Sequence, residues 1–292
     1  MQSIRKYAIL NKNLFQKEAD FLRIDCHNHS EFSMDAEYPV SRMLSAARDK
    51  KIKVFAVTDH CELNEWERDR LADTLPQSVK AIEAMKPSAA LKLLLGVELG
   101  QPLQSIARAE KVLADYPFDM VIGSLHNNAG CPDFYFYDFA SETDDEIFYL
   151  LKQYYSELLK MTEWGGFDTL AHITYPYRYL NAARRKREIS VRPENFDFDA
   201  DQVFKALIDR KKALEMNTSS LRRSEADLDL NIRYFKRYRD LGGELVTVGS
   251  DAHTPEQVGA GLEQAYQILA DAGFQKIVYY EKREPVWVSL DE

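Results

Sequence analysis

Seven times along this chain a short apolar run gives way to a longer amphipathic stretch, and that alternation limits the fold more than any other feature. The runs are "FLRIDCH", "VFAVTDH", "KLLLGVEL", "DMVIGSLH", "DTLAH", "ALEMNTS" and "ELVTVGSDAH". Among the stretches between them, "PVSRMLSAARDKK" places apolar residues at 40, 43, 44 and 47 on one helical face. Helices are likewise expected over "LQSIARAEKVLADY", roughly 143–163, "ADQVFKALIDRKK", "LNIRYFKRYRDLGG" and "PEQVGAGLEQAYQILADAG", with "LADTLPQSVKAIEAM" an interrupted one. A polar loop is expected after "DTLAH", and the last run, "KIVYYEKREPVWVSL", reads as strand. Apolar strands alternating with helices predict a parallel sheet buried under helices. Seven units crowd a small open sheet, so an α/β barrel is expected. A doubly wound open sheet is the alternative; it calls for a glycine-rich phosphate turn, and neither GxGxxG nor GxxxxGK(S/T) occurs.

No Pro/Gly/Ser linker divides the 292 residues, so one domain is expected: an N-terminal extension over 1–20, a barrel core over 21–275 and a C-terminal segment over 276–292. The extension should pack on the outside. A hydrophobic content of 45% with 29% charged residues is that of an ordinary globular chain. No apolar stretch has the length of a signal peptide or a membrane span, so a cytoplasmic location without membrane contact is the expectation. The net charge of -9 argues against an extended nucleic-acid-binding face, but not against a small anionic substrate held by a few cations. Cys26, Cys61 and Cys131 form no CxxC pair and read as reduced, buried thiols. Oligomeric state is not legible.

The chain has six histidines, His27, His29, His60, His126, His172 and His253, and each falls at the C-terminal end of a predicted strand. Asp59, Glu98 and Asp251 share that address. In a βα barrel those ends surround a single mouth, so residues distant in sequence converge there. His27 and His29 are two apart, which aims both at one face of an extended backbone, and Asp251 and His253 repeat the relation. Neutral imidazole and ionised carboxylate are ligands that divalent transition metals favour. Taken singly, His126 or His172 is more often a hydrogen-bonded structural group, and Glu98 would suit the start of the following helix. The set is different, because no histidine falls on a predicted helix or outer loop. Asp59 is expected to be an anchor, the acceptor that orients its neighbour His60, and Asp25 is grouped with it.

"DCHNHSEFSMD", "VTDH", "GVELG", "GSLHN", "LAHITYP" and "GSDAH" resemble, in order, the motifs of the PHP (polymerase and histidinol phosphatase) metallophosphoesterase family, over about residues 22–260. "EMNTSSLR" and "GSDAHTPEQVG" are most similar to its monofunctional histidinol-phosphatase branch. The resemblance implies a distorted (β/α)7 TIM-like barrel with two or three divalent transition metal ions (Zn, Mn or Fe) at the C-terminal ends of the strands. It implies a first ion held by His27, His29, Glu98 and Asp251, and a second by Glu98, His126 and His172. A third would be held by His60, His253 and Asp35, the last standing where many members have histidine. The implied activity is metal-dependent phosphomonoester hydrolysis, with L-histidinol phosphate as substrate. The alternative is a phosphoesterase acting on nucleotides or short oligonucleotides.

No GxSxG nucleophile is present, and none is required if metals activate water. Asp251 or His253 could protonate the leaving alkoxide. Arg178 and Arg222 lie nearest the predicted mouth and suit bidentate phosphate contact, with Asn217 and Ser219 assisting, whereas Arg184, Arg185, Lys186 and Arg187 read as a solvated charge run. An amidohydrolase-like barrel would use a carboxylated lysine where Glu98 stands. A non-catalytic metal-binding protein would be expected to lack part of the ligand set.

Overall fold

The computed structural model describes residues 23–85 and 89–290, so the extension expected over 1–20 lies outside the described residues. Eight strands run parallel: β1 (Ile24–Asp25), β2 (Val54–Val57), β3 (His60–Glu62), β4 (Lys92–Gly100), β5 (Met120–Ser124), β6 (Thr169–Leu170), β7 (Ala213–Asn217) and β8 (Val246–Gly249). Their spatial order is β1-β2-β4-β5-β6-β7-β8, with β3 also paired to β4. β2 and β3 are two halves of one predicted run, parted at Thr58–Asp59, where Thr58 N donates to Asn28 O (2.7 Å) and Glu98 N to Asp59 O (3.1 Å). The result is a nearly closed barrel of seven parallel staves. Between β1 and β8 there is no regular ladder. Cys26 N to Val248 O (2.9 Å), Asp251 N to His27 O (2.8 Å) and His29 N to Ala252 O (2.9 Å) stitch that seam instead.

Helices α1 (Val40–Asp49), α2 (Leu71–Glu83), α3 (Ile106–Asp115), α4 (Asp144–Trp164), α5 (Tyr175–Ala183), α6 (Asp197–Asp209), α7 (Thr218–Leu221), α8 (Glu225–Asp240) and α9 (Leu262–Asp271) follow the strands. The expected face of α1 is the one it buries: Val40, Met43, Leu44 and Ala47. Four expectations need correction. The stretch expected to be an interrupted helix is one unbroken helix, α2, with Pro76 inside it. α5 forms where a polar loop was expected, started by Pro176, whose missing N–H costs nothing in a first turn. α9 begins at Leu262 rather than near 255, because Gly259 and Gly261 adopt positive φ and break the helical path. The last run is not one strand but an antiparallel hairpin, β9 (Lys276–Glu281) and β10 (Glu284–Ser289), turning at Lys282 and Arg283.

The hairpin packs across the N-terminal end of the barrel. Arg283 pairs with buried Asp168 and donates to Gly166 O (2.9 Å), and its backbone N–H bonds Asp119 O (2.8 Å). One end of the barrel is thus sealed, and polar chemistry is left to the other. Among the described residues no helix is long and apolar enough to cross a membrane. Cys26 and Cys61 are buried free thiols; Cys131 is half-buried.

Candidate active site

All six histidines meet at the C-terminal rim. His27 and His29 follow β1, His60 opens β3, Glu98 lies on β4, His126 follows β5, His172 follows β6, and Asp251 and His253 follow β8. Glu98 is fully buried at the centre. Its Oε2 is 3.1 Å from His27 Nε2, 3.0 Å from His60 Nδ1 and 3.5 Å from His29 Nε2. Its Oε1 is 3.0 Å from His172 Nε2 and 3.2 Å from His126 Nε2. Asp251 Oδ1 lies 3.3 Å from His29 Nε2. Asp35, exposed on the loop before α1, reaches His253 Nε2 at 3.0 Å and His60 Nε2 at 3.6 Å. The backbone at Asp251 is left-handed (φ 55°), a conformation that short acidic side chains tolerate better than most and that recurs at functional sites. Gly249 lets β8 pass close to β1, since a Cβ there would meet His27 Cβ at 2.3 Å.

The donor set fits divalent ions. Among the described residues, three groups bring their ligand atoms within 4.8 Å of one another: His27, His29 and Glu98; His60, Glu98 and His126; His29, His60 and His253. The histidines therefore divide less cleanly among positions than the motif resemblance implies, with His29 and His60 each shared. His29 Nε2 is buried and makes no hydrogen bond. Its other nitrogen, Nδ1, is 3.1 Å from Ser33 Oγ, which donates to Asp59 (2.8 Å) and so accepts from Nδ1–H. That relay leaves the Nε2 lone pair turned into the cluster.

Charge supports the same reading. Burial, with His253 and His60 beside it, lowers His29 to about 4, so it is neutral near pH 7. Burial would lower His126 too, but Glu62 and Glu98 outweigh it and raise the imidazole to about 10. Burial would raise Glu98 and Asp251, yet the facing imidazoles hold both well below the usual carboxylate range. Buried carboxylates at this density demand positive charge, which protons or metal cations can supply.

The remaining expected residues divide. Arg178 on α5 is buried yet lines the cavity at the rim, 3.8 Å from Asp251 Oδ2. Arg222 does not line it; its guanidinium donates to Ser250 O (3.0 Å) and Thr218 O (3.2 Å), and the neighbouring Arg223 faces the cavity instead. Asn217 and Ser219 do not line the cavity either; both donate to Asp251 Oδ2 (3.2 and 3.1 Å), so they hold an acid. Asp59 does not touch His60. It accepts from Ser30, Ser33 and Ser78, and so orients His29 through Ser33. Asp25 accepts from Ser250 N (2.7 Å) and Gly259 N (2.8 Å), fixing the turn that carries Asp251.

Two acids were missed by the sequence reading. Glu62 faces His60 and His126, and Glu215 faces His27 Nδ1 (2.5 Å) and accepts from His172 N (3.0 Å). Their signal was strand alternation: Glu62 is two beyond His60, and Glu215 is two before Asn217.

Above the cluster lies a cavity of about 760 Å³. Tyr135, Phe136, Tyr175 and Tyr179 form an aromatic wall, and Asp133 lies among them, accepting from Tyr175 Oη (2.9 Å) and Tyr135 N (2.7 Å). Among the described residues no cation pairs with Asp133, whereas Asp69 in the same cavity is paired with Arg68.

Fold and site together define a β/α barrel whose C-terminal rim gathers histidines and carboxylates able to bind metal ions. The chain belongs to the PHP domain family, whose model matches residues 25–219. A probable histidinol-phosphatase of Clostridium acetobutylicum is 30% identical over 260 residues, which is 89% of this chain and 97% of that protein. The histidinol-phosphatase of Lactococcus lactis is 23% identical over 88% of this chain and 94% of its own. The crystal structure of histidinol phosphate phosphatase from Lactococcus lactis, complexed with zinc, L-histidinol and phosphate, superposes with a TM-score of 0.71 at 20% identity, covering 91% of this chain and 99% of that one. At that identity the match speaks for the fold.

Proposed function

We propose that this protein is a metal-dependent phosphomonoesterase that hydrolyses L-histidinol phosphate to L-histidinol and phosphate. The observation that carries the reading is the convergence of all six histidines with Glu98 and Asp251 in one cluster, four of those histidines and both acids lining the cavity above it. The named function of the full-length relatives supports the substrate.

His27, His29, Glu98 and Asp251 would hold one divalent ion, Glu98, His126 and His172 a second, and His60, His253 and Asp35 a third. Zinc is the first choice and Mn or Fe the alternatives, since the ligands are rich in nitrogen. Bound ions supply Lewis acidity there, making water acidic near neutral pH and neutralising charge on phosphoryl oxygens. The chain's own groups do the rest. Arg178 faces the phosphoryl group with its guanidinium, steadied by Asn217 Oδ1 (3.2 Å) and Ser220 Oγ (3.0 Å). Of the two candidates for protonating the leaving alkoxide, His253 is the better: it lines the cavity, and although burial opposes it, Asp35 and Asp251 raise its imidazole. Asp251 is the poorer carrier, because against its burial the facing imidazoles hold it ionised and its Oδ2 accepts from Asn217 and Ser219. Asp133 and the aromatic wall suit a leaving group that is both cationic and ring-bearing, as L-histidinol is.

The test is phosphate release from L-histidinol phosphate, nucleotides and dinucleotides, before chelation, after it, and after adding back each metal. Metal-dependent turnover confined to histidinol phosphate is expected. Activity on nucleotides with none on histidinol phosphate would overturn the assignment.

A further inference from the structure

Glu62 ends β3 and is almost wholly buried, yet it belongs to none of the three ligand sets above. Its Oε1 lies 3.1 Å from Nδ1 of His60 and 3.0 Å from Nδ1 of His126. Each ring turns its other nitrogen elsewhere. His126 Nε2 faces Glu98 (3.2 Å) and His172 Nε2 (3.3 Å), while His60 Nε2 faces Asp35 (3.6 Å). An ionised carboxylate can only accept, so it selects the Nδ1–H form of both rings and leaves both Nε2 lone pairs free. Those lone pairs point to two different proposed ion positions.

The space for this acid is provided by its neighbour. Gly100 on β4 pairs in register with Glu62, and a Cβ there would come within 2.2 Å of Glu62 Oε2 and 2.5 Å of its Oε1. Any larger residue would push the carboxylate off its two histidines. His60 Nδ1 has a second acceptor within reach, Glu98 Oε2 at 3.0 Å. Without Glu62 the His60 proton would fall to that oxygen and occupy a lone pair that the cluster uses.

We propose that Glu62 is a positioning residue that couples two metal positions, the one at His126 and His172 and the one at His60, His253 and Asp35. One oxygen fixes the tautomer of a histidine in each, so the two positions fill and empty together. The inference rests on reading the cluster as a metal centre, as the proposed function does.

The test compares wild type with Glu62→Gln by metal content per chain after dialysis against graded chelator, and by 15N-histidine spectra of the zinc-loaded proteins. In the variant, two ions should leave together at about 10- to 100-fold lower chelator concentration, the usual loss when a histidine ligand's supporting acceptor is removed. The ion at His27 and His29 should stay, and the Nδ1–H signature of His60 and His126 should become mixed. Gly100→Ala retains the charge but displaces it, and should behave the same way. Melting of the chelated proteins at one common temperature shows that neither change acts through the fold. Wild-type stripping with unchanged histidine spectra in Glu62→Gln would overturn the coupling, as would loss of one ion alone. A wild-type protein that holds no divalent ion would overturn the metal centre itself, and the role of Glu62 with it.

Discussion

Arg178 and Arg222 differ in what their guanidinium groups touch, and that separates their expected phenotypes. Arg178 opens on the cavity beside Asp251, whereas Arg222 is spent on the carbonyls of Ser250 and Thr218. A hydrogen bond to a charged group is worth roughly 1.5–3 kcal/mol, so Arg178→Ala should raise KM for the phosphate ester about tenfold or more. Arg222→Ala should leave KM within about twofold and cost about 1 kcal/mol of stability instead. Steady-state kinetics and urea unfolding separate the two, and equal KM values would remove Arg178 from the site. The same scale shows what could be read in the sequence. The histidines were legible because the rare residue types recur at strand ends. Whether Arg222 or Arg223 faces the mouth was not legible, because it depends on where the four-residue α7 stops. Asp59 was expected to orient His60 but bonds Ser30, Ser33 and Ser78 instead, since side chains of adjacent residues in an extended run point apart.

At the scale of elements, α4 is tied to the loop that follows α5. Asp144, in its first turn, accepts from Ser190 N (2.8 Å), Ser190 Oγ and Arg187 (3.0 Å). Those bonds, Ser190's foremost, hold its carboxyl at about 2. A depressed carboxylate stabilises the fold above its unfolded value near 3.9, and that contribution fades as pH falls toward 2. The destabilisation caused by Asp144→Asn should therefore be constant from neutral pH to about 4 and shrink below it in urea unfolding. A pH-independent difference would show that the loop tie is not electrostatic. Arg187 was read as part of a solvated run, and this contact shows why runs of charge conceal individual anchors. The seven alternations were legible from apolar period alone. α5 was not, because "YPYRYLNAA" mixes aromatic and polar residues without a clean stripe. Nor was the hairpin, whose turn uses Lys282 and Arg283 at positive φ in place of the Gly or Asn that usually marks one.

For the whole molecule, the seam between β1 and β8 is the weak stave contact, held by scattered backbone bonds. His27 and His29 stand on one side of it and Asp251 and His253 on the other, so an ion shared between them would also hold the barrel shut. Removing metal should lower the melting temperature, since binding to the folded state alone stabilises it by mass action. It should also speed amide exchange at Cys26, His29 and Asp251 more than at the β4–β5 ladder. Uniform exchange across both would show that the seam stands without ions.

Asp25 and Ser250, which bond across that seam, are 225 residues apart in the chain. A hoop fastened by its first and last pieces cannot be completed until nearly all of its length has been laid down, and such distant pairing is slow to form. The clasp is therefore also a checkpoint. Only a molecule that has gone the whole way round brings His27 and His29 up against Asp251 and His253.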